Sequence, residues 1–223
     1  MAGPAGMGLA RIWRALFAVV GWGALIFQFV LMTAGQTGWT LVERVVNYFS
    51  FFTILTNLLV ALALTGPLLT ANRKLARWSA SEGVRAAVAM YIVVVGLIYH
   101  FILAPWWRPT GGTLIANILL HYVMPLAFLV DWLAFTPKGR LRWIDPVKWL
   151  TYPALYGVWT VAHGLATHWW PYGFVNVDTL GWGGFAVSAA ATAVFFLLIG
   201  LAIVAMDRAF GGKHRRDLKA RSA

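Results

Sequence analysis

The 223-residue chain contains no cysteine. That excludes disulfides, thiolate nucleophiles and zinc–thiolate sites, and it leaves the redox compartment unreadable. Charge is scarce: Asp, Glu, Lys and Arg make up 11% of the residues, against ~25% in soluble domains. No hydrophilic stretch is long enough for a separate soluble domain, and neither an internal repeat nor a low-complexity tract occurs. The five histidines have no HExxH-type spacing, so the sequence predicts no metal site and no other cofactor.

What remains is apolar: 61% of residues are hydrophobic, and six stretches stand out at about 12–33, 46–69, 85–106, 112–135, 149–169 and 183–206. Each is near the ~20 residues that a helix needs to cross a bilayer. The flanking charges alternate in phase with them. Arg11 and Arg14, then Arg73, Lys74, Arg77 and Arg85, then Lys138, Arg140, Arg142 and Lys148, and finally the basic tail at 207–223 all fall on one side. Of the 18 Lys and Arg, only Arg44 and Arg108 fall on the other. This asymmetry predicts an all-α polytopic membrane protein: one domain of six transmembrane helices with both termini and the basic tail in the cytoplasm. The first apolar run is longer than a signal peptide's core, so it counts as a span.

The net charge of +11 is spread over membrane-flanking loops. It is not interleaved with exposed aromatics in a soluble module, which argues against nucleic acid and for anionic lipid headgroups at the cytoplasmic face. Trp39, Trp106, Trp107, Trp169, Trp170 and Trp182 lie in the opposite connections, as an interfacial aromatic belt does.

Polar groups inside a span each need a partner or a purpose. Thr53 and Asn57 are four apart in FFTILTNLL, and Asn117 and His121 are four apart in ANILLHYVMP, followed by Pro125 and Asp131. Such pairs share a helix face; Thr56 points elsewhere. Tyr91, Tyr99 and His100 fall in the third span, and Tyr152, Tyr156, Thr160 and His163 form a stripe on the fifth. With 1.5 Å per residue, Thr53 lies ~12 Å below the outer edge, and His121 lies at nearly the same depth. His100 and His163 also fall in the outer half, which suggests a polar pocket opening toward the outer leaflet. Plainer readings exist: a Thr bonded to its own helix, Asn residues as interhelical glue, His168 at the interface, and Asp131 paired with Arg140 or Arg142.

In FFTILTNLL, in ANILLHYVMPLAFLVDWL and in WWPYGFVNV, the chain resembles the androgen-induced family of six-span membrane proteins, which includes the androgen-dependent regulator of tissue factor pathway inhibitor. It looks most like that family's bacterial branch. The resemblance covers most of residues 12–206 and implies a bacterial inner membrane location. It also implies a threonine hydrolase that cleaves fatty acid esters of hydroxy fatty acids. By motif, the nucleophile falls on Thr53 and the base on His121, with Asn117 before the base, and Pro125 and Asp131 after it. Animal members carry an acid soon after the Thr, where this chain has Asn57, with a spacing that differs by one; Thr56 is therefore a rival nucleophile. The Pro after the His is also one residue closer here.

The leading expectation is an intramembrane esterase acting on lipid esters drawn from the bilayer through an acyl-threonine intermediate, with His121 as base. Asn57 or Asn117 would donate to the oxyanion, Asp131 would support the site, and Thr56, Tyr99, His100, Tyr156 and His163 would line the pocket. The alternatives are a non-enzymatic lipid- or sterol-binding protein or small transporter, and a bundle whose polar residues only hold helices together.

Overall fold

Residues 4–34, 38–69 and 73–221 are described in the computed structural model, except the side chains of 4–6 and 213–221; among them every regular element is a helix. Ten helices follow one another: α1 (Pro4–Ala34), α2 (Leu41–Phe49), α3 (Phe52–Thr65), α4 (Arg73–Ala80), α5 (Glu82–Ile98), α6 (Gly111–Ile118), α7 (Met124–Phe135), α8 (Asp145–Trp149), α9 (Thr151–Thr167) and α10 (Val177–Arg221). A π-helical turn, Tyr99–Leu103, extends α5, and a second, Leu119–Val123, joins α6 to α7.

Four helical segments, Met7–Ala34, Glu82–Leu103, Gly111–Phe135 and Val177–Gly212, are long and apolar enough to cross a membrane; α2 and α3 make a fifth if counted as one span bent by 68°. The continuous helix expected over 46–69 is thus broken. The stretch expected over 149–169 is one helix, the 17-residue α9, with the short α8 just before it; α9 is ~25 Å in length at 1.5 Å per residue. In α10, the backbone of Gly181 leaves helical geometry (φ 65°, ψ 170°), and the helix then continues to Arg221, past the end expected near 206.

The break between α2 and α3 contains no Gly or Pro. Thr40 starts α2 with a capping box: its hydroxyl accepts from Glu43 N–H and its own N–H donates to the Glu43 carboxylate. The helix stops at Ser50, whose carbonyl is taken by the Tyr156 hydroxyl (2.9 Å) and whose hydroxyl accepts from the Trp159 indole (3.0 Å). Side chains of α9 thus satisfy the backbone that a break in an apolar bundle would leave unpaired.

Helix α5 is central, buried from Arg85 to Met90 and packed against α3, α7 and α10. At one end of the bundle lies a buried charge cluster. Asp131 (0% exposed) is ion-paired with Arg85 (2%) and with Arg14 (2.8 Å). Arg85 also donates to Thr136 Oγ1, Ala63 O and Ser79 O, so it is a core residue and not the loop charge its sequence position suggests. Near the same end, Asp207 accepts from Leu141 N–H (3.0 Å). A Cβ at Gly211 would lie 2.4 Å from Gly139 Cα, so α10 seats here only because both positions lack side chains.

Candidate active site

Two of the backbone irregularities meet. Thr53 is the second residue of α3, directly after the break, and His121 is the middle residue of the second π turn. In that turn Met124 N–H donates to Leu119 O, five residues back, which leaves Leu120 O without its ordinary helical donor. Pro125 has no N–H for His121 O. Asn57 bridges the defect: its Nδ2 donates to Leu120 O (3.1 Å) and to Thr53 O (2.9 Å). A single amide thereby ties the first turn of α3 to the turn that carries His121.

Thr53 Oγ1 lies 3.3 Å from His121 Nε2, and His121 Nδ1 lies 3.0 Å from Asn117 O. A carbonyl only accepts, so Nδ1 carries the proton in the neutral ring and Nε2 presents its lone pair to the Thr53 hydroxyl. Tyr99 stacks on the imidazole at 4.1 Å, and Asn117 Nδ2 donates to the Tyr99 hydroxyl at 2.5 Å. Orientation, tautomer and ring plane of His121 are therefore all set by neighbours.

Tyr172 completes the group. Its hydroxyl is 3.3 Å from Thr53 Oγ1 and accepts from Thr53 N–H at 3.3 Å. With the Thr53 proton directed at His121, the Tyr172 proton points at Thr53 Oγ1, giving a one-way chain from Tyr172 to Thr53 to His121. Phe51, the residue before α3, supplies no side-chain cap; in this first turn the Thr53 N–H points at Tyr172, while the Ile54 and Leu55 N–H groups bond to Phe51 O. A helix N-terminus favours developing negative charge. The loop bearing Tyr172 is pinned by Asp178, which accepts from Trp170 Nε1 (2.8 Å) and faces His168 Nδ1 (3.1 Å). The Trp170 bond, and then the His168 bond, hold the Asp178 carboxyl below its ordinary range. Trp170 lies flat on α9 where Gly164 makes room, since a Cβ there would meet the indole at 2.6 Å.

The remaining candidates separate. Both donors of Asn57, and one of Asn117, are engaged with the scaffold, which removes Asn57 from the oxyanion role foreseen for it and leaves Asn117 facing Tyr99. Asp131 belongs to the charge cluster with Arg14 and Arg85, and not with Arg140 or Arg142; no contact links it to His121. Thr56 is fully buried with Tyr152 as its partner (3.2 Å), and no histidine stands beside it. His100 is exposed and bonded to Tyr122, while His163 stacks on Trp159; neither lines the two cavities that reach Thr53. Tyr99 and Tyr156 do.

Thr53 sits where two apolar cavities meet. One, of about 420 Å³, lies among α5, α9 and α10 and includes Tyr156, Gly157 and Phe196. The other, of about 530 Å³, includes His121, Tyr99, Gln28 and Trp107. Thr53 and Tyr172 belong to both. Sequence reasoning passed over Tyr172 and Gln28. The signal for Tyr172 was its place in WWPYGFVNV, the one polar hydroxyl in a connection too short to leave the bundle; Gln28 is the lone amide of the first helix. In comparisons with known proteins, no protein-family model, no curated protein and no solved structure matches this chain.

Proposed function

We propose that this protein is an intramembrane threonine esterase, with Thr53 as nucleophile and His121 as general base and acid. The observation that carries the reading is the Thr53 Oγ1–His121 Nε2 separation of 3.3 Å together with the Nδ1 anchor on Asn117 O. A threonine alcohol needs a base within hydrogen-bond reach, and contacts of this length in an unliganded site tighten when substrate binds. The Tyr172 hydroxyl and the Thr53 N–H beside it take the oxyanion role in place of Asn57. The cavities are lined by apolar side chains, which suits lipid esters taken from the bilayer. Fatty acid esters of hydroxy fatty acids are the substrates that the resemblance to the androgen-induced family implies.

In this reading the bent pair α2–α3 and the α8–α9 unit serve as the second and fifth of six spans, both termini face the cytoplasm of a bacterial inner membrane, and the basic flanks meet anionic headgroups. The decisive test is incubation of the detergent-purified protein with a fluorophosphonate, followed by peptide mass spectrometry. A Thr53 adduct that needs His121 is expected. An adduct on Thr56 would move the nucleophile, and folded protein without any adduct favours a lipid-binding protein that does no chemistry.

The close approach of α5 to the π turn offers a second test. A Cβ at Gly96 would sit 3.1 Å from His121 O and 3.4 Å from Pro125 Cβ. In Gly96→Ala the turn must back away by a few tenths of an ångström, at a cost of about 1–2 kcal/mol in stability. Ester turnover is expected to fall about tenfold, because catalysis is sensitive to small displacements of the base. Wild-type rates in that variant would show that the seat of the π turn is not limiting.

A further inference from the structure

The two cavities differ at the reacting group. Both include Thr53 and Tyr172, but His121 lines only the cavity of about 530 Å³. The steps of ester cleavage use that asymmetry. Thr53 Oγ bonds to the ester carbonyl carbon while its proton passes to His121 Nε2, and the carbonyl electrons move onto oxygen. On collapse the carbon–alkoxy bond breaks, and the leaving oxygen takes the proton back from Nε2. An alcohol leaves, and the acyl group stays on Thr53. Water then gives a proton to Nε2 and its oxygen to the acyl carbon, and Thr53 Oγ is reprotonated as the acid departs. The leaving oxygen must therefore lie beside Nε2 in the first half-reaction, and nothing requires the acyl chain to do so.

We infer that the cavities divide the ester between them. The cavity among α5, α9 and α10 holds the acyl chain that becomes attached to Thr53, and the cavity beside His121 holds the alcohol that leaves. This assignment rests on the esterase reading and adds to it which half of the substrate each helix pair selects. Exposed Ala154 and Ala193 edge the acyl cavity on α9 and α10, so this arm opens sideways between those helices. Trp106 and Trp107, 89% and 48% exposed, edge the alcohol cavity.

Each arm carries a glycine suited to a test. Gly157 lines the first cavity and Gly173 the second. At both, an added Cβ meets nothing within 4 Å, and neither has a positive φ. Gly157→Phe and Gly173→Phe should therefore narrow one arm at a time. The substrates are two orthogonal series: p-nitrophenyl esters from acetate to palmitate, which lengthen only the acyl half, and alkyl acetates from ethyl to hexadecyl, which lengthen only the alcohol half. In Gly157→Phe the long-to-short ratio of kcat/KM should fall about tenfold or more in the acyl series and stay within about twofold in the alcohol series. Gly173→Phe should do the reverse. Ala154→Phe and Ile102→Trp, in the same respective cavities, replace any variant whose thermal melt shows misfolding.

Crossed responses, or equal responses in both series, overturn the division while leaving the esterase reading intact. Wild-type protein that hydrolyses neither series and gains no fluorophosphonate on Thr53 overturns both.

Discussion

His121→Ala is expected to lower ester turnover by about 10³-fold, while the protein stays folded. The imidazole is the one base within reach of Thr53 Oγ1 among the described residues, at 3.3 Å. Removing it leaves an alcohol with nothing to accept its proton in an apolar cavity. The structural cost is small by comparison. His121 bonds within its own helix to Asn117 O and stacks on Tyr99, and its loss leaves that carbonyl facing a cavity, worth roughly 1 kcal/mol. Fatty acid release from a synthetic lipid ester in detergent, read beside a circular dichroism melt, separates the two effects.

Because the missing ring leaves its space within a cavity, added imidazole should restore part of the lost rate, a recovery that a merely packing histidine would not give. Retention of more than about a tenth of wild-type turnover would remove His121 from the role of base, given the usual 10²–10⁴-fold contribution of such a group. By the same logic Tyr172→Phe keeps the aromatic packing against Phe51 and Phe174 and loses only the hydroxyl. That change touches one of two donors and not the proton acceptor, so it ranks well below His121→Ala.

Why the pair Thr53 and His121 could be nominated from sequence, and their surroundings could not, follows from how each is encoded. Helical spacing along an apolar stretch puts both side chains in one layer, and the resemblance carried by FFTILTNLL and ANILLHYVMP implies their roles. The helical class, too, follows from long apolar runs. The break at Ser50 is different in kind. NYFSFFT contains no helix breaker, and the break is held by Tyr156 and Trp159 more than a hundred residues away. No local pattern carries that information. The π turn around His121 has a visible trace in Pro125, but its repair by Asn57 comes from another helix. The expectation of an oxyanion donor in Asn57 therefore fails, because both of its N–H groups are occupied in holding the frame. Arg85 was misplaced for a related reason: a charge at the edge of an apolar run looks like a topology signal until its counterion, here Asp131 from another helix, is seen beside it.

That counterion gives the second large expected effect. Asp131→Asn should destabilise the protein by about 3–5 kcal/mol, since removing one partner of a buried ion pair strands the other charge. Here two charges are stranded. Among the described residues Asp131 is the one carboxylate paired with Arg14 and Arg85, and Arg85, at 2% exposure, cannot turn out to solvent. Its remaining contacts, Thr136 Oγ1, two backbone carbonyls and the face of Phe128, satisfy hydrogen bonds without neutralising charge. Arg14 is better placed to adapt, being 16% exposed.

The double variant Arg85→Met, Asp131→Leu should therefore melt well above Asp131→Asn, because replacing a buried pair with apolar groups removes the desolvation cost along with the attraction. Thermal melts in detergent give the order of the three proteins. Fluorophosphonate labelling of Thr53, carried out below the melting range, decides what kind of residue Asp131 is. Ten residues beyond His121, it lies ~15 Å along the helix axis, too far to orient the imidazole directly. Labelling should survive in Asp131→Asn at low temperature and vanish only as the protein melts. Loss of labelling in a variant that melts like wild type would return Asp131 to the reacting group and show that the charge cluster acts on the site through the helix that joins them.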